Sequence, residues 1–254
     1  MSIVLDAQLC LRWSNDSPTE RKEFVEVELF DDGDIVIAGF DQEYHEAALE
    51  FGYPPPLELS LINYWRDQPE LVISASLDIP SQLGSRIALD WAEHVLPIYK
   101  ERFPHDTRPE EALAAARAYL DDPSERNDYN LRKMFIEVTK CEQEVPFEMR
   151  WGSGRYINIA SVHAPNNASK SIVRAVQSAD PINDASMQES VIQFAASYAR
   201  IARAYKITDS VDNESPAYVA ASGKEKAWQV RRFVRAMEIV GQGGKWPPMG
   251  VAEG

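Results

Sequence analysis

The side chains best suited to chemistry are four histidines and two cysteines: His45, His94, His105, His163, Cys10 and Cys141. No two histidines show the H-x-x-x-H or H-E-x-x-H spacing typical of zinc ligands, and neither cysteine lies near a histidine in the sequence. A cysteine nucleophile would therefore need the fold to bring a distant histidine to it. The glycine-containing segments WGSGRY and GQGGKW lack the residues of a dinucleotide or phosphate loop. We expect no metal and no cofactor.

One histidine stands beside a carboxylate, in the segment FPHDTRPEE that contains His105 and Asp106. A catalytic pair is one interpretation. The other is the start of a helix, because Thr107 and Glu110 have the T-x-x-E spacing of a capping box and Pro109 falls in the first turn, where its missing N–H costs little. An alanine-rich run follows directly, which favours the helix start.

Length, composition and charge narrow the class of protein. The chain has 254 residues, of which 44% are hydrophobic, enough for one large or two small cores. It shows neither the pattern of a signal peptide nor an apolar run of about 18 residues, so we predict a cytoplasmic protein that does not span a membrane. Because the net charge is −14, binding to nucleic acid is disfavoured.

The negative charge is concentrated at the front of the chain, where residues 1–50 contain 13 acidic and 3 basic side chains. Such a surface either keeps the protein soluble or complements a basic partner. On the second interpretation the predicted partner-binding residues are Asp31, Asp32, Asp34, Asp41, Glu43 and Glu46.

The periodicity of the apolar residues predicts a mainly α fold, with a helical core and a smaller N-terminal α+β element. Residues 24–40 alternate as a β-hairpin around the turn DDGD. Helical spacing predicts one buried face in 85–103 (Ile87, Trp91, Val95, Ile98) and another in 187–205 (Met187, Val191, Phe194, Tyr198, Ile201, Tyr205).

The chain accordingly divides into an acidic α+β region at 1–80, a helical domain at 81–240 and a disordered tail at 241–254. Within the helical domain, residues 121–180 form a polar insertion that could be helical or partly β. The stretch HAPNNASK in this insertion is predicted to be a loop.

The segment ALDWAEHVLPIYKERFPHDTRPEEALAAARAYL at 88–120 resembles the immunity-five-like helical family, the immunity proteins of bacterial polymorphic toxin systems. The likeness lies in D-x-A-E-x-V-L-P followed by F-P-x-D-x-R-P, and a weaker one in Glu225, Trp228 and Gln229. The resemblance implies a non-enzymatic protein that binds and neutralises a cognate toxin by occluding it. The acidic residues at 1–50 add the expectation that this toxin has a basic surface. The resemblance leaves the toxin and the oligomeric state open.

Two other functions stay open at this point: a small hydrolase using His94 or His105, and an acidic mimic of nucleic acid that binds a basic protein. The polar residues of the motif, Asp90, Glu93, Asp106 and Arg108, are predicted to form one charge-assisted network where two helices meet.

Overall fold

The structure is a computed structural model that describes residues 2–13, 20–30, 35–38, 71–77, 81–144, 160–183, 185–208 and 215–249. The chain divides into two compact units, one formed by residues 80–226 and the other by residues 1–79 with 227–254. The fold is mainly helical, as predicted.

Residues 80–226, the helical unit, contain α1 (Ser81–Arg102), α2 (Arg108–Asp121), α3 (Glu125–Glu144), α4 (Ala160–Ser178), α5 (Ala185–Thr208) and the first part of α6 (Pro216–Gly241). Helix α4 packs against α1, α2, α3 and α5, and α1 packs against both α2 and α5. The buried face predicted for α1 is confirmed, because Ile87, Trp91, Val95 and Ile98 are all buried.

Helix α4 includes the stretch HAPNNASK, so the loop predicted there is wrong. Its small residues form a buried line: Ala164, Ala168, Ser171, Ala175 and Ser178. Their polar groups are satisfied locally or across the interface; for example, the hydroxyl of Ser171 donates to the carbonyl of Ala195 on α5 at 2.8 Å. Packing against four helices therefore overrides the weak helix propensity of Asn, Ser and Pro.

The 121–180 segment as a whole is helical where it is described, in 125–144 and 160–178, and the partly β alternative is wrong for these residues. Residues 145–159 lie outside the described part.

The buried face predicted for α5 is largely wrong. Of its six residues only Val191 is buried, while Met187 and Phe194 are 50% and 52% exposed. The residues that are buried instead are mostly small: Ile192, Ala195, Ala196, Ala199, Ala202 and Ala204. Close packing against α4 and α1 leaves space for alanines and not for aromatic rings.

The other unit contains a four-stranded antiparallel sheet in the order β3-β2-β1-β4, with β1 at Ser2–Trp13, β2 at Glu20–Phe30, β3 at Ile35–Ala38 and β4 at Leu71–Leu77. Strands β2 and β3 pair from Glu26 opposite Ala38 to Leu29 opposite Ile35. The DDGD turn at 31–34 lies outside the described residues, so the complete hairpin predicted over 24–40 stays a prediction.

The same unit contains the end of α6, where Val230, Phe233 and Val234 are buried. Residues 241–249, which belong to the tail predicted to be disordered, follow a defined path: the guanidinium of the buried Arg232 donates to the carbonyl of Pro247 at 2.5 Å. The predicted domain boundaries stay predictions.

Candidate functional site

The corner between α1 and α2 is organised around the carboxylate of Asp106. Its Oδ1 accepts hydrogen bonds from the backbone N–H of Arg108 at 3.1 Å and from Nε of the same residue at 2.9 Å. Its Oδ2 accepts from the Arg108 Nη2 at 2.8 Å, from the Tyr99 hydroxyl at 2.7 Å and, more weakly, from the thiol of Cys141 on α3 at 3.5 Å. One carboxylate thus connects α1, the corner, α2 and α3.

The corner cluster changes the ionisation of its members. Burial acts to raise the pKa of Asp106, but hydrogen bonds from Arg108 and then Tyr99 outweigh it and hold that pKa well below its usual range. Burial and the hydrogen bond to Asp106 raise the pKa of Tyr99. Burial and the charge of Asp106 raise the pKa of Cys141 to about 11. The carboxylate is therefore ionised at neutral pH, while the phenol and the thiol stay protonated and act as donors.

The capping box predicted for α2 is not formed. Thr107 is the N-cap residue, but its hydroxyl makes no hydrogen bond to the helix backbone and instead donates to Oε1 of Glu111 at 2.8 Å. Glu110, the other predicted member, pairs with Lys100 at 2.8 Å. The helix-start interpretation is correct, but Asp106 supplies the carboxylate that accepts the Arg108 N–H at the start of α2.

A second cluster joins α1 to α2 further along the two helices. The guanidinium of Arg117 donates from Nη2 to Oδ1 of Asp90 and from Nε to Oε1 of Glu93, both at 2.7 Å. Asp90 is fully buried. One turn earlier on α1, Arg86 donates to the carbonyl of Leu120 at 2.7 Å. These contacts fix α2 against α1 with charge-assisted bonds.

The four motif residues therefore belong to two clusters and not to one network. Asp106 and Arg108 bind each other at the corner, whereas Asp90 and Glu93 bind Arg117. Sequence reasoning missed Arg117, because it is nine residues from Arg108 and 24 or more from its own partners, and no local spacing predicts that contact.

His94, on the same helix as Asp90, faces a carboxylate from α6. Its Nδ1 lies 3.0 Å from Oε1 of Glu225, a residue that is only 4% exposed. Nε of Arg203 on α5 lies 3.4 Å from the other oxygen of Glu225, close enough for an ion pair but without hydrogen-bond geometry. The structure thus brings Glu225, from the weaker resemblance, to a residue of the motif segment at 88–120.

The hydrolase hypothesis needs a nucleophile beside a histidine. His94 and Glu225 have the arrangement of a base and the group that orients it. His105, the other histidine of this hypothesis, is exposed. Cys141 contacts Asp106 and has a raised pKa, which disfavours the thiolate that a nucleophile requires.

The predicted partner-binding residues Asp31, Asp32, Asp34, Asp41, Glu43 and Glu46 lie outside the described residues. Within the described part of the chain, no group of three or more His, Cys, Asp or Glu side chains is placed to hold a metal ion. None of the described helices is long and apolar enough to cross a membrane.

Comparison with protein families finds a match that contains the cluster around Arg117 and the members of the corner cluster other than Cys141. Residues 84–140 match the family model described as "Imm-5 like putative immunity protein". The resemblance expected from 88–120 is therefore confirmed, over a segment that includes α1 from Gly84, α2 and most of α3. No curated protein and no solved structure matches the chain significantly.

Proposed function

From the family match over 84–140, we propose that this protein is an immunity protein of a polymorphic toxin system. It binds its cognate toxin and neutralises it by occlusion, without catalysis, in the cytoplasm of the cell that makes it. The description of the matched family supports the immunity role, and the arrangement of the motif residues supports the mode of action.

The observation that supports the proposal most is that the charged residues of the motif bind other residues of the same chain. The carboxylates of Asp106, Asp90 and Glu93 accept hydrogen bonds from arginines of the same unit, at 2.7–3.1 Å. An active site needs polar groups that converge on a space for substrate. Here the charged groups converge on one another, so the motif builds a rigid helical scaffold. Recognition of a partner is then left to the outer surface, as in a binding protein.

Co-expression tests the proposal directly. The toxin domain encoded next to this gene should arrest growth of a host when expressed alone, and co-expression of the full chain should restore growth. The purified chain should also form a complex with a catalytically inactive form of that toxin domain. A toxin domain that remains fully active in cells containing the soluble, folded chain would contradict the proposal.

A further inference from the structure

Helix α3 carries apolar side chains on two opposite faces. One face is buried and contains Leu131, Met134, Val138 and Cys141. On the other side, Tyr129 is 72% exposed and Ile136 is 60% exposed. The first face belongs to the core of the helical unit, whereas packing among the described residues does not account for the second.

The outward residues form a line together with two cations. Arg126, Tyr129, Lys133 and Ile136 are separated by three, four and three residues, so at 3.6 residues per turn they fall within about a quarter of the helix circumference. We call these four residues the α3 stripe. All four are exposed.

The two cations of the α3 stripe differ from their neighbours on the same helix. Arg132 is paired with Asp128 at 3.0 Å, and Lys140 with Glu137 at 2.7 Å. Among the described residues, Arg126 and Lys133 have no carboxylate within ion-pair distance. The stripe is therefore cationic on a chain whose net charge is −14.

Exposed apolar side chains and cations on one helix face are typical of a surface that binds protein. Tyrosine and arginine are the residue types enriched among those that contribute most to binding energy, and a line of residues at helical spacing is the part of a helix that docks into a groove. Exposed cations beside apolar side chains are complementary to a partner surface in which carboxylates surround an apolar depression, because complementary charge steers association and fixes the register of the complex.

We propose that the α3 stripe is a contact surface for the cognate toxin, and that it meets an acidic part of that toxin. Tyr129 and Ile136 fill an apolar depression in the toxin surface, and Arg126 and Lys133 pair with carboxylates at its rim. This proposal rests on the proposed function and adds the location and the charge of an interface.

Other occupants fit the α3 stripe less well. If two copies of the chain met through the stripe about a twofold axis, four cations would be brought together and the stripe would supply no carboxylate to pair with them. Nucleic acid would be repelled by the net charge of −14. An acidic protein surface satisfies both the charge and the apolar residues.

The test measures the affinity of the full chain for the catalytically inactive toxin domain encoded next to its gene. The stripe variants are Tyr129→Ala and the double variant Arg126→Glu with Lys133→Glu. Their matched controls are Val219→Ala, at an apolar side chain that is 53% exposed on α6, and Lys224→Glu with Lys245→Glu, at two exposed lysines. Thermal unfolding of each variant confirms that it is folded.

We expect Tyr129→Ala to weaken binding by roughly thirtyfold, as for a residue at the centre of an interface. The double charge reversal should weaken binding at least as much and reverse its dependence on salt, whereas the controls should stay within about twofold of wild type.

If wild type binds the toxin and the stripe variants bind equally well, the interface lies elsewhere: this proposal fails and the proposed function stands. If wild type neither binds nor protects, the proposed function fails and this proposal with it. If the stripe variants instead dissociate a dimer seen in sedimentation, the stripe is a self-contact and the proposal is wrong.

Discussion

Nη2 of Arg117 lies 2.7 Å from Oδ1 of Asp90, and this contact joins α2 to a carboxylate that is fully buried on α1. Burial acts to lower the pKa of the Arg117 guanidinium, but its bonds to Glu93 and the charges of Asp90 and Glu93 raise the pKa above its usual value. The guanidinium is thus a permanent cation on α2 that pairs with two carboxylates of α1, Asp90 and Glu93.

Replacing Arg117 with Met should reduce the free energy of unfolding by about 3 kcal/mol, since it leaves a buried carboxylate without its guanidinium. The measurement is urea-induced unfolding at neutral pH. The matched control is Lys224→Met, an exposed lysine without an ion-pair partner among the described residues, for which we expect a change below about 0.5 kcal/mol. Equal losses for the two variants would mean that Arg117 contributes no more to stability than an exposed lysine does.

At the corner between α1 and α2, the side chain of Asp106 should contribute far more to stability than that of Thr107. The Thr107 hydroxyl donates to an exposed glutamate and makes no cap bond, so Thr107→Ala should cost less than about 0.5 kcal/mol. The Asp106 carboxylate accepts bonds from Tyr99, Arg108 and Cys141, so Asp106→Ala should cost about 3 kcal/mol by removing the charged acceptor that these donors share. Comparison of the two unfolding midpoints tests this ranking. A larger loss of stability for Thr107→Ala than for Asp106→Ala would contradict this ranking and support the capping-box interpretation.

The depressed pKa of Asp106 predicts a loss of stability in acid. A carboxyl whose pKa is lower in the folded than in the unfolded state stabilises the fold above its unfolded pKa of about 3.9, and this contribution disappears as pH falls below that value. Asp106→Asn should therefore be less stable than wild type at pH 7, and the difference should shrink between about pH 4 and pH 2. Urea unfolding across this range measures it. A difference that stays constant with pH would show that the charge of Asp106 is not what stabilises the corner.

The acidic front predicts faster association with a basic part of the toxin. Changing Asp31, Asp32 and Asp34 to Asn should slow the on-rate and flatten its salt dependence, because long-range attraction is screened over about 8 Å at physiological ionic strength. Stopped-flow kinetics with the inactive toxin domain measure this, and Lys224→Glu with Lys245→Glu serves as a control of opposite charge sign. If the variant and wild type have the same on-rate at every salt concentration, the acidic residues at 1–50 serve solubility only.

The sequence predicted α1 well because large apolar residues at helical spacing have few alternatives to burial. Ile87, Trp91 and Val95 are all buried as expected. The same reasoning failed on α5, where Phe194 is exposed and Ala199 is buried, because the close approach of α4 selects small side chains for the interface. Periodicity identifies a helix, but the neighbouring helix decides which of its faces is buried.

The motif residues were identified from the sequence, but their partners were not. Asp106 and Arg108 are two residues apart, so their contact follows from local geometry. Arg117 reaches Asp90 and Glu93 across 27 and 24 residues, and Glu225 reaches His94 across 131. Such pairs form only once the helices are packed, and no spacing in a single sequence encodes them.

The central claim is that the chain neutralises a toxin by binding it, and an inhibition titration tests this most directly. Toxin activity is measured as the full chain is added to a fixed amount of the active toxin domain encoded next to its gene, and the toxin is then separated under denaturing conditions and refolded. Occlusion predicts that inhibition is complete at a fixed molar ratio of chain to toxin, and that the recovered toxin is fully active. Complete inhibition by a small fraction of an equivalent, with recovered toxin that is permanently inactive, would contradict the claim and identify the chain as an enzyme.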